Sequence, residues 1–219
     1  MKIGTDGVLL GAWVSVKNNP FSILDIGAGT GIIALQLAQR SNAEMVDAIE
    51  IDENAYEQCV DNFENSPWGD RLFCYHASLE EFVAEIEEKY DIVISNPPFY
   101  SEDFKTSNES RDIARFSNAL PFDELIESAS QLISDEGIFA VIIPKKEEEN
   151  FIKMASKVNL FPNRICRVRG TISSEEKRSL LEFSFEKTSP KIENLTIETS
   201  RHDYTEEYKN MVQDFYLKM

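Results

Sequence analysis

The stretch from Ser22 to Ala38 constrains this chain more than any other. Ser22-Ile23-Leu24-Asp25-Ile26 is an apolar run of strand length. Gly27-Ala28-Gly29-Thr30-Gly31 follows, and Ile32 to Ala38 continues at helical spacing. Strand, glycine loop and helix in that order make the first unit of a nucleotide-binding α/β sheet. The glycines permit a tight turn and close approach of a ligand to backbone at the start of a helix.

The glycine spacing is Gly-x-Gly-x-Gly, which argues against a dinucleotide. Asp25 places a carboxylate at the loop entrance, where it repels a pyrophosphate and suits the ammonium and sulfonium charges of S-adenosylmethionine. A second strand, Met45 to Glu50, ends in an acid 19 positions after Gly31. That is close to the ~20-residue spacing at which an acid accepts hydrogen bonds from a ribose diol. Glu50 and the adjoining Ile51 are therefore expected at the cofactor.

The alternation continues. Glu53 to Asn65 is predicted as a helix and Arg71 to Tyr75 as a third strand. Ala77-Ser78-Leu79 then falls where an adenine-contacting loop belongs. Ser78 with Glu81 also fits a capping box for a helix over 79–87, and the two roles are compatible. Tyr90 to Ile94 is a fourth, β-branched strand. A helix over 121–133, a strand over 137–144 and a charged helix over 145–158 follow, with Glu147-Glu148-Glu149 read as a solvated face. Leu160 to Val168 and Ser179 to Phe185 are predicted as closing strands, the last alternating apolar and polar as an antiparallel edge does. Residues 188–200 offer one more short strand, and 204–219 have helical apolar spacing. The expectation is an α/β fold with a seven-stranded Rossmann-like sheet, mostly parallel with an antiparallel C-terminal edge and helices on both faces. One domain over 1–219 suits the length.

Asn96-Pro97-Pro98-Phe99-Tyr100 stands just past the fourth strand. Proline cannot donate to a sheet ladder and holds the residue before it extended. Asn96 is thus fixed at the strand's carboxyl end, where open parallel sheets bind ligands. A fixed amide, the carbonyls of Asn96 and Pro97 and neighbouring aromatic faces suit a planar group carrying an NH2: an adenine or cytosine base, or a glutamine amide.

Net charge of −17 argues against gripping nucleic acid over a broad surface. Local basic groups remain. Arg111 and Arg115, four apart in a polar segment after Tyr100, are candidates for a phosphate. Arg164, Arg167, Arg169, Lys177 and Arg178 form the densest basic cluster and a second candidate. Three cysteines without Cys-x-x-Cys spacing indicate neither a disulfide framework nor a zinc site. Cys74 and His76 share a strand face, which is read as packing. No apolar run approaches the ~20 residues of a membrane span, and Met1 to Gly7 lacks a signal-peptide layout; a cytoplasmic location is expected. Thr5 or Asp6 could cap a first helix whose apolar face holds Val8, Leu9, Ala12 and Trp13.

These motifs resemble the class I S-adenosylmethionine-dependent methyltransferases. Asp25 to Gly31, Glu50 and Asn96-Pro97-Pro98-Phe99 carry the likeness, the last group matching the (Asp/Asn/Ser)-Pro-Pro-aromatic signature of amino-group methyltransferases. More narrowly, Lys2 to Trp13, Asn96 to Tyr100, Tyr204 to Tyr208 and Asp214 to Leu217 are similar to bacterial tRNA (adenine-N6) methyltransferases acting on the valine tRNA anticodon loop. The resemblance implies S-adenosylmethionine as cofactor, Thr5 and Asp6 near it, and a tRNA substrate. It also implies catalysis by Asn96, Pro97, Pro98 and Phe99, with Tyr100 toward RNA. A monomer without metal or membrane attachment is expected. Two rivals stay open: methylation of a protein glutamine, and a non-catalytic cofactor- or RNA-binding module.

Overall fold

A computed structural model describes residues 4–98 and 120–217. Nine strands form one sheet in the order β3-β2-β1-β4-β5-β7-β6-β8-β9. They are β1 (Ser22–Ile26), β2 (Met45–Glu50), β3 (Leu72–His76), β4 (Tyr90–Ser95), β5 (Ile133–Pro144), β6 (Phe161–Thr171), β7 (Glu176–Ser184), β8 (Lys191–Ser200) and β9 (Asp203–Tyr204). Strands β1 to β5 are parallel to one another. β7 runs antiparallel to both β5 and β6. The seven expected strands are thus present and contiguous. The further strand expected over 188–200 is Lys191–Ser200, which pairs parallel with β6, and β9 adds a short antiparallel edge.

Seven α-helices lie among the described residues: α1 (Thr5–Trp13), α2 (Ile32–Arg40), α3 (Glu53–Glu64), α4 (Leu79–Glu85), α5 (Phe122–Leu132), α6 (Glu148–Ala155) and α7 (Glu206–Val212). The central strands are buried on both faces, so they read as continuous apolar runs. Ile23 of β1, Ile92 and Ile94 of β4 and Ala140 and Ile142 of β5 face a core completed by α1, α2, α3 and α7. Leu24, Val93, Phe139 and Val141 face a second core beneath α4, α5 and α6. The rings of Phe139, Phe151 and Phe183 meet in that second core at centroid separations of 5.8 to 6.3 Å.

α1 packs across α2 at close range. A Cβ on Gly11 would lie 2.8 Å from Gln36 Cδ, Gln36 Nε2 donates to the Val8 carbonyl at 3.1 Å, and Arg40 donates to the Gly11 carbonyl at 2.6 Å. The N-cap of α1 is Gly4, with no side-chain hydrogen bond. Thr5 and Asp6 therefore sit inside the first turn, one and two positions later than a capping role requires. The charged helix predicted over 145–158 is split into a 3-10 turn, α6 and a second 3-10 turn.

Candidate active site

The strand order reverses between β1 and β4, and the crevice beyond their carboxyl ends is where such sheets hold ligands. The glycine loop leaves β1 on one side of it. Gly27, Gly29 and Gly31 all take positive φ, at 70°, 59° and 75°, which glycine alone adopts without strain. A Cβ on Gly27 would meet nothing within 4 Å, whereas one on Gly31 would lie 2.5 Å from Phe63 Cε1 and 2.7 Å from Cys59 Sγ. Gly27 thus borders open space, and Gly31 lets the loop sit directly on α3.

The loop's N–H groups are already engaged. Gly27 and Ala28 donate to the Ile49 carbonyl at 2.9 and 3.1 Å. Gly29 donates to Glu50 Oε2 at 2.7 Å, and Glu50 Oε1 accepts from Ile51 and Asp52 at 2.9 Å each. The loop therefore does not offer the row of free donors that cradles a phosphate. Its charges are acidic instead. Asp25 is wholly buried. Its Oδ2 accepts from the Ala34 N–H at 3.2 Å, while its Oδ1 is buried without a partner. Burial pushes the Asp25 carboxyl up to about 7, opposed by the Ala34 hydrogen bond and reinforced by the Glu50 carboxylate. An unsatisfied buried carboxylate oxygen at the base of a ligand crevice fits a cationic amino group.

Ile51 follows Glu50 and is 55% exposed, an apolar surface at the crevice side of β2. Ser78 closes the capping box expected of it: its Oγ accepts from the Glu81 N–H at 3.2 Å, and Glu81 Oε2 accepts from the Ser78 N–H at 2.9 Å. Leu79 is buried below it.

Asn96 stands at the end of β4, with Pro97 buried and Pro98 exposed. Ser95, wholly buried, ties this end to the glycine-loop strand by donating its Oγ to the Ile26 carbonyl at 2.9 Å. The first turn of α1 lies alongside: a Cβ on Gly7 would be 3.7 Å from Asn96 Nδ2 and 3.5 Å from Ile32 Cγ2. The expectation for Phe99, Tyr100, Arg111 and Arg115 lies outside the described residues.

The basic cluster is distributed differently from its sequence appearance. Arg164 pairs with Glu182 at 3.3 Å and Glu193 at 2.9 Å and stacks 4.2 Å over Trp13. Arg167 pairs with Glu148 at 2.8 Å. Arg178 donates to Asp6 at 2.7 Å. Lys177 is exposed, and Arg169 Nε is buried without a partner. Glu148, read from sequence as part of a solvated run, is instead buried. Burial pushes its carboxyl up, but Arg167, Ser179 and Lys145 together outweigh this and hold it below the usual carboxylate range. The Cys74 and His76 face is packing, with the His76 ring stacked on Tyr56 at 5.1 Å. Among the described residues no cluster of His, Cys, Asp or Glu is placed to hold a metal ion, and no helix is long and apolar enough to cross a membrane.

Sequence reasoning missed Ser95 and Gly7. Both matter through contacts to residues distant in the chain, and neither carries a local signal.

Comparison with known proteins agrees with this architecture. The model of the methyltransferase small domain matches residues 9–160. A tRNA1(Val) (adenine(37)-N6)-methyltransferase of Christiangramia forsetii is 63% identical over all of this chain and 92% of its own length. One of the same description from Parabacteroides distasonis is 41% identical over all of this chain and 92% of its own length. In structure, a predicted O-methyltransferase of Agrobacterium tumefaciens aligns with a TM-score of 0.75 at 18% identity, covering 95% of this chain and 96% of that one, which speaks for the fold. S-adenosylmethionine is the cofactor that this domain family uses. The chain belongs to the methyltransferase small-domain family and, within it, to the tRNA1(Val) (adenine-N6)-methyltransferases.

Proposed function

We propose that this protein transfers a methyl group from S-adenosylmethionine to the exocyclic N6 amino group of an adenine in tRNA, at position 37 of valine tRNA as its relatives are described. The observation that carries the reading is the placement of Asn96. Asn96 stands at the end of β4, one strand from a glycine loop with an unpaired buried carboxylate oxygen at its base.

S-adenosylmethionine supplies an electrophilic methyl group on a positively charged sulfur. The unpaired Asp25 Oδ1 would hold the cofactor's amino group, and the open face of Gly27, with Ala28, Gly29 and Gly31, would line its path. Glu50 would reach the ribose. Its Oε1 is filled by the Ile51 and Asp52 N–H groups, but Oε2 accepts only from Gly29 and keeps a further lone pair. Ile51, Ser78 and Leu79 would border the adenine, and Thr5 and Asp6 the outer rim.

An adenine amino nitrogen is a poor nucleophile because its lone pair is delocalised into the ring. The Asn96 side-chain oxygen and the Pro97 carbonyl would accept its two hydrogens, drawing the nitrogen toward a tetrahedral shape with its lone pair aimed along the transfer axis. Pro98 would keep this segment extended. Phe99 would stack the target base, an interaction worth roughly 1–3 kcal/mol. Catalysis then rests on positioning and directed dipoles, without a strong base. Tyr100, Arg111, Arg115, Arg169 and Lys177 would contact the RNA. Asn96→Ala is expected to leave cofactor affinity nearly intact and to remove most turnover, measured as labelled methyl transferred into tRNA with total protein as a parallel acceptor. Label in protein alone would overturn the tRNA reading, and wild-type turnover in Asn96→Ala would overturn the mechanism.

A further inference from the structure

The first turn of α1 touches two things that the chain brings from far away. Through Gly7 it lies against the Asn96 amide and against Ile32 and Ile33 at the start of α2. Through Asp6 it receives the Arg178 guanidinium, Nε to Oδ2 at 2.7 Å. Arg178 stands near the start of β7, in register with Pro144 at the carboxyl end of β5. β7 lies two strands from β4 in the sheet, on the side away from the glycine loop. The ion pair therefore ties the helix turn beside Asn96 to the upper edge of the sheet on the far side of the catalytic strand.

Both side chains are partly exposed, Arg178 at 34% and Asp6 at 26%. A pair this wet contributes little to stability, so what it fixes is position. α1 is otherwise anchored further along its length, by Gln36 at the Val8 carbonyl and Arg40 at the Gly11 carbonyl. The Asp6 pair is what the structure supplies at its first turn. The turn has no side-chain cap of its own.

We infer that Asp6 and Arg178 act as positioning residues for Asn96: their pair sets the gap between the first turn of α1 and the catalytic amide. This rests on the methyltransferase reading above and gives Asp6 a role beyond proximity to the cofactor. It also moves Arg178 from the RNA-contact group to the catalytic geometry.

The test compares Asp6→Asn, Arg178→Gln, the double variant and the charge-swapped Asp6→Arg/Arg178→Asp, in methyl transfer to tRNA at saturating cofactor. Each single variant is expected to lower kcat about tenfold or more at saturating cofactor, and Arg178→Gln, at a residue given no cofactor contact, to keep cofactor Kd within about twofold, because a misplaced reacting group is lost mainly from the rate. The double variant should fall no further than either single, and the swap should recover part of the loss. Asp6→Asn is the discriminating member. If Arg178 merely neutralised Asp6 to admit RNA, Asp6→Asn would be harmless or beneficial while Arg178→Gln was impaired, and the inference would fail. A loss confined to KM for tRNA would overturn it equally, making Arg178 a phosphate contact. A second measurement does not depend on turnover. The 15N side-chain amide resonance of Asn96, assigned by its loss in Asn96→Ser, should shift in Arg178→Gln and not in Lys157→Gln, a change at an exposed lysine in the 3-10 turn after α6. An unmoved resonance sinks the clamp even if the wild-type protein proves inactive on tRNA, an outcome that would itself remove only the proposed substrate.

Discussion

Glu50 Oε2 accepts the Gly29 N–H at 2.7 Å, so the acid ending β2 fastens the loop leaving β1. Its other oxygen accepts from Ile51 and Asp52. A residue expected only to meet a ribose is thus also the buckle that shapes the ligand crevice. Glu50→Gln replaces one acceptor by an NH2 that faces backbone donors, and a buried donor left unsatisfied costs about 1–3 kcal/mol. The variant should lose cofactor affinity and also show a lower denaturation midpoint in the absence of cofactor. A change in affinity alone would mean that the buckle is dispensable.

Asp25 provides a pH dependence. Its carboxyl sits at about 7 in the folded chain, above its ordinary 3.8. The folded state therefore holds the proton more tightly than the unfolded chain does. Stability from this group is full below about pH 4 and is lost as pH rises through about 7. The ionised form is the one that holds a cationic amino group, so cofactor affinity should rise over the same interval. Asp25→Asn should flatten both slopes, raise the melting temperature of the cofactor-free protein at pH 8 and weaken cofactor binding. Calorimetry and titration at pH 5.5 and 8 would check all three.

The two outer glycines of the loop should fail in different ways. Gly27→Ala meets open space and bears only the strain of positive φ, on the order of 1–2 kcal/mol. It should fold and bind cofactor poorly. Gly31→Ala adds a collision with Phe63 and Cys59 to the same strain, and overpacking of this kind costs roughly 1–3 kcal/mol more. Thermal melts of both variants without cofactor should separate them clearly.

Arg164 should behave as a structural residue. Its removal leaves Glu182, 4% exposed, without its cation, and breaking a buried pair costs about 3–5 kcal/mol; solvent at Arg164 itself puts the expectation near the lower figure. Burial already raises the Glu182 carboxyl, and Arg164 opposes that. Arg164→Ala should therefore destabilise more at pH 8 than at pH 5, while the KM for tRNA stays unchanged in the protein that remains folded. A tRNA effect without a stability effect would restore Arg164 to the RNA surface.

Strands and their order of appearance were legible because burial on both faces writes itself locally, as runs such as Tyr90 to Ser95. The glycine loop was legible because positive φ leaves glycine few substitutes. The charged residues were not. Arg164, Arg167 and Arg178 look like one basic cluster in sequence, yet their carboxylates come from Glu182, Glu193, Glu148 and Asp6, at separations of 18 to 172 residues. Glu148 sits in a run of three acids, and only its Arg167 and Ser179 partners distinguish it from its neighbours. Asp25 was legible as an acid at the loop entrance, but its burial and unpaired oxygen could come only from coordinates.

The Trp13 indole donates to Glu193 at 3.0 Å across 180 positions of chain, and α7 closes over α1 beyond it. During synthesis on the ribosome, β1 to β5 emerge well before β8 and α7 exist. The first helix leaves the exit tunnel early but waits for the last elements before its outer side has anything to rest against. A nascent chain interrupted before β8 would carry every catalytic residue discussed above, and the Asp6–Arg178 pair, but not the Glu193 and α7 contacts that cover the outer side of α1.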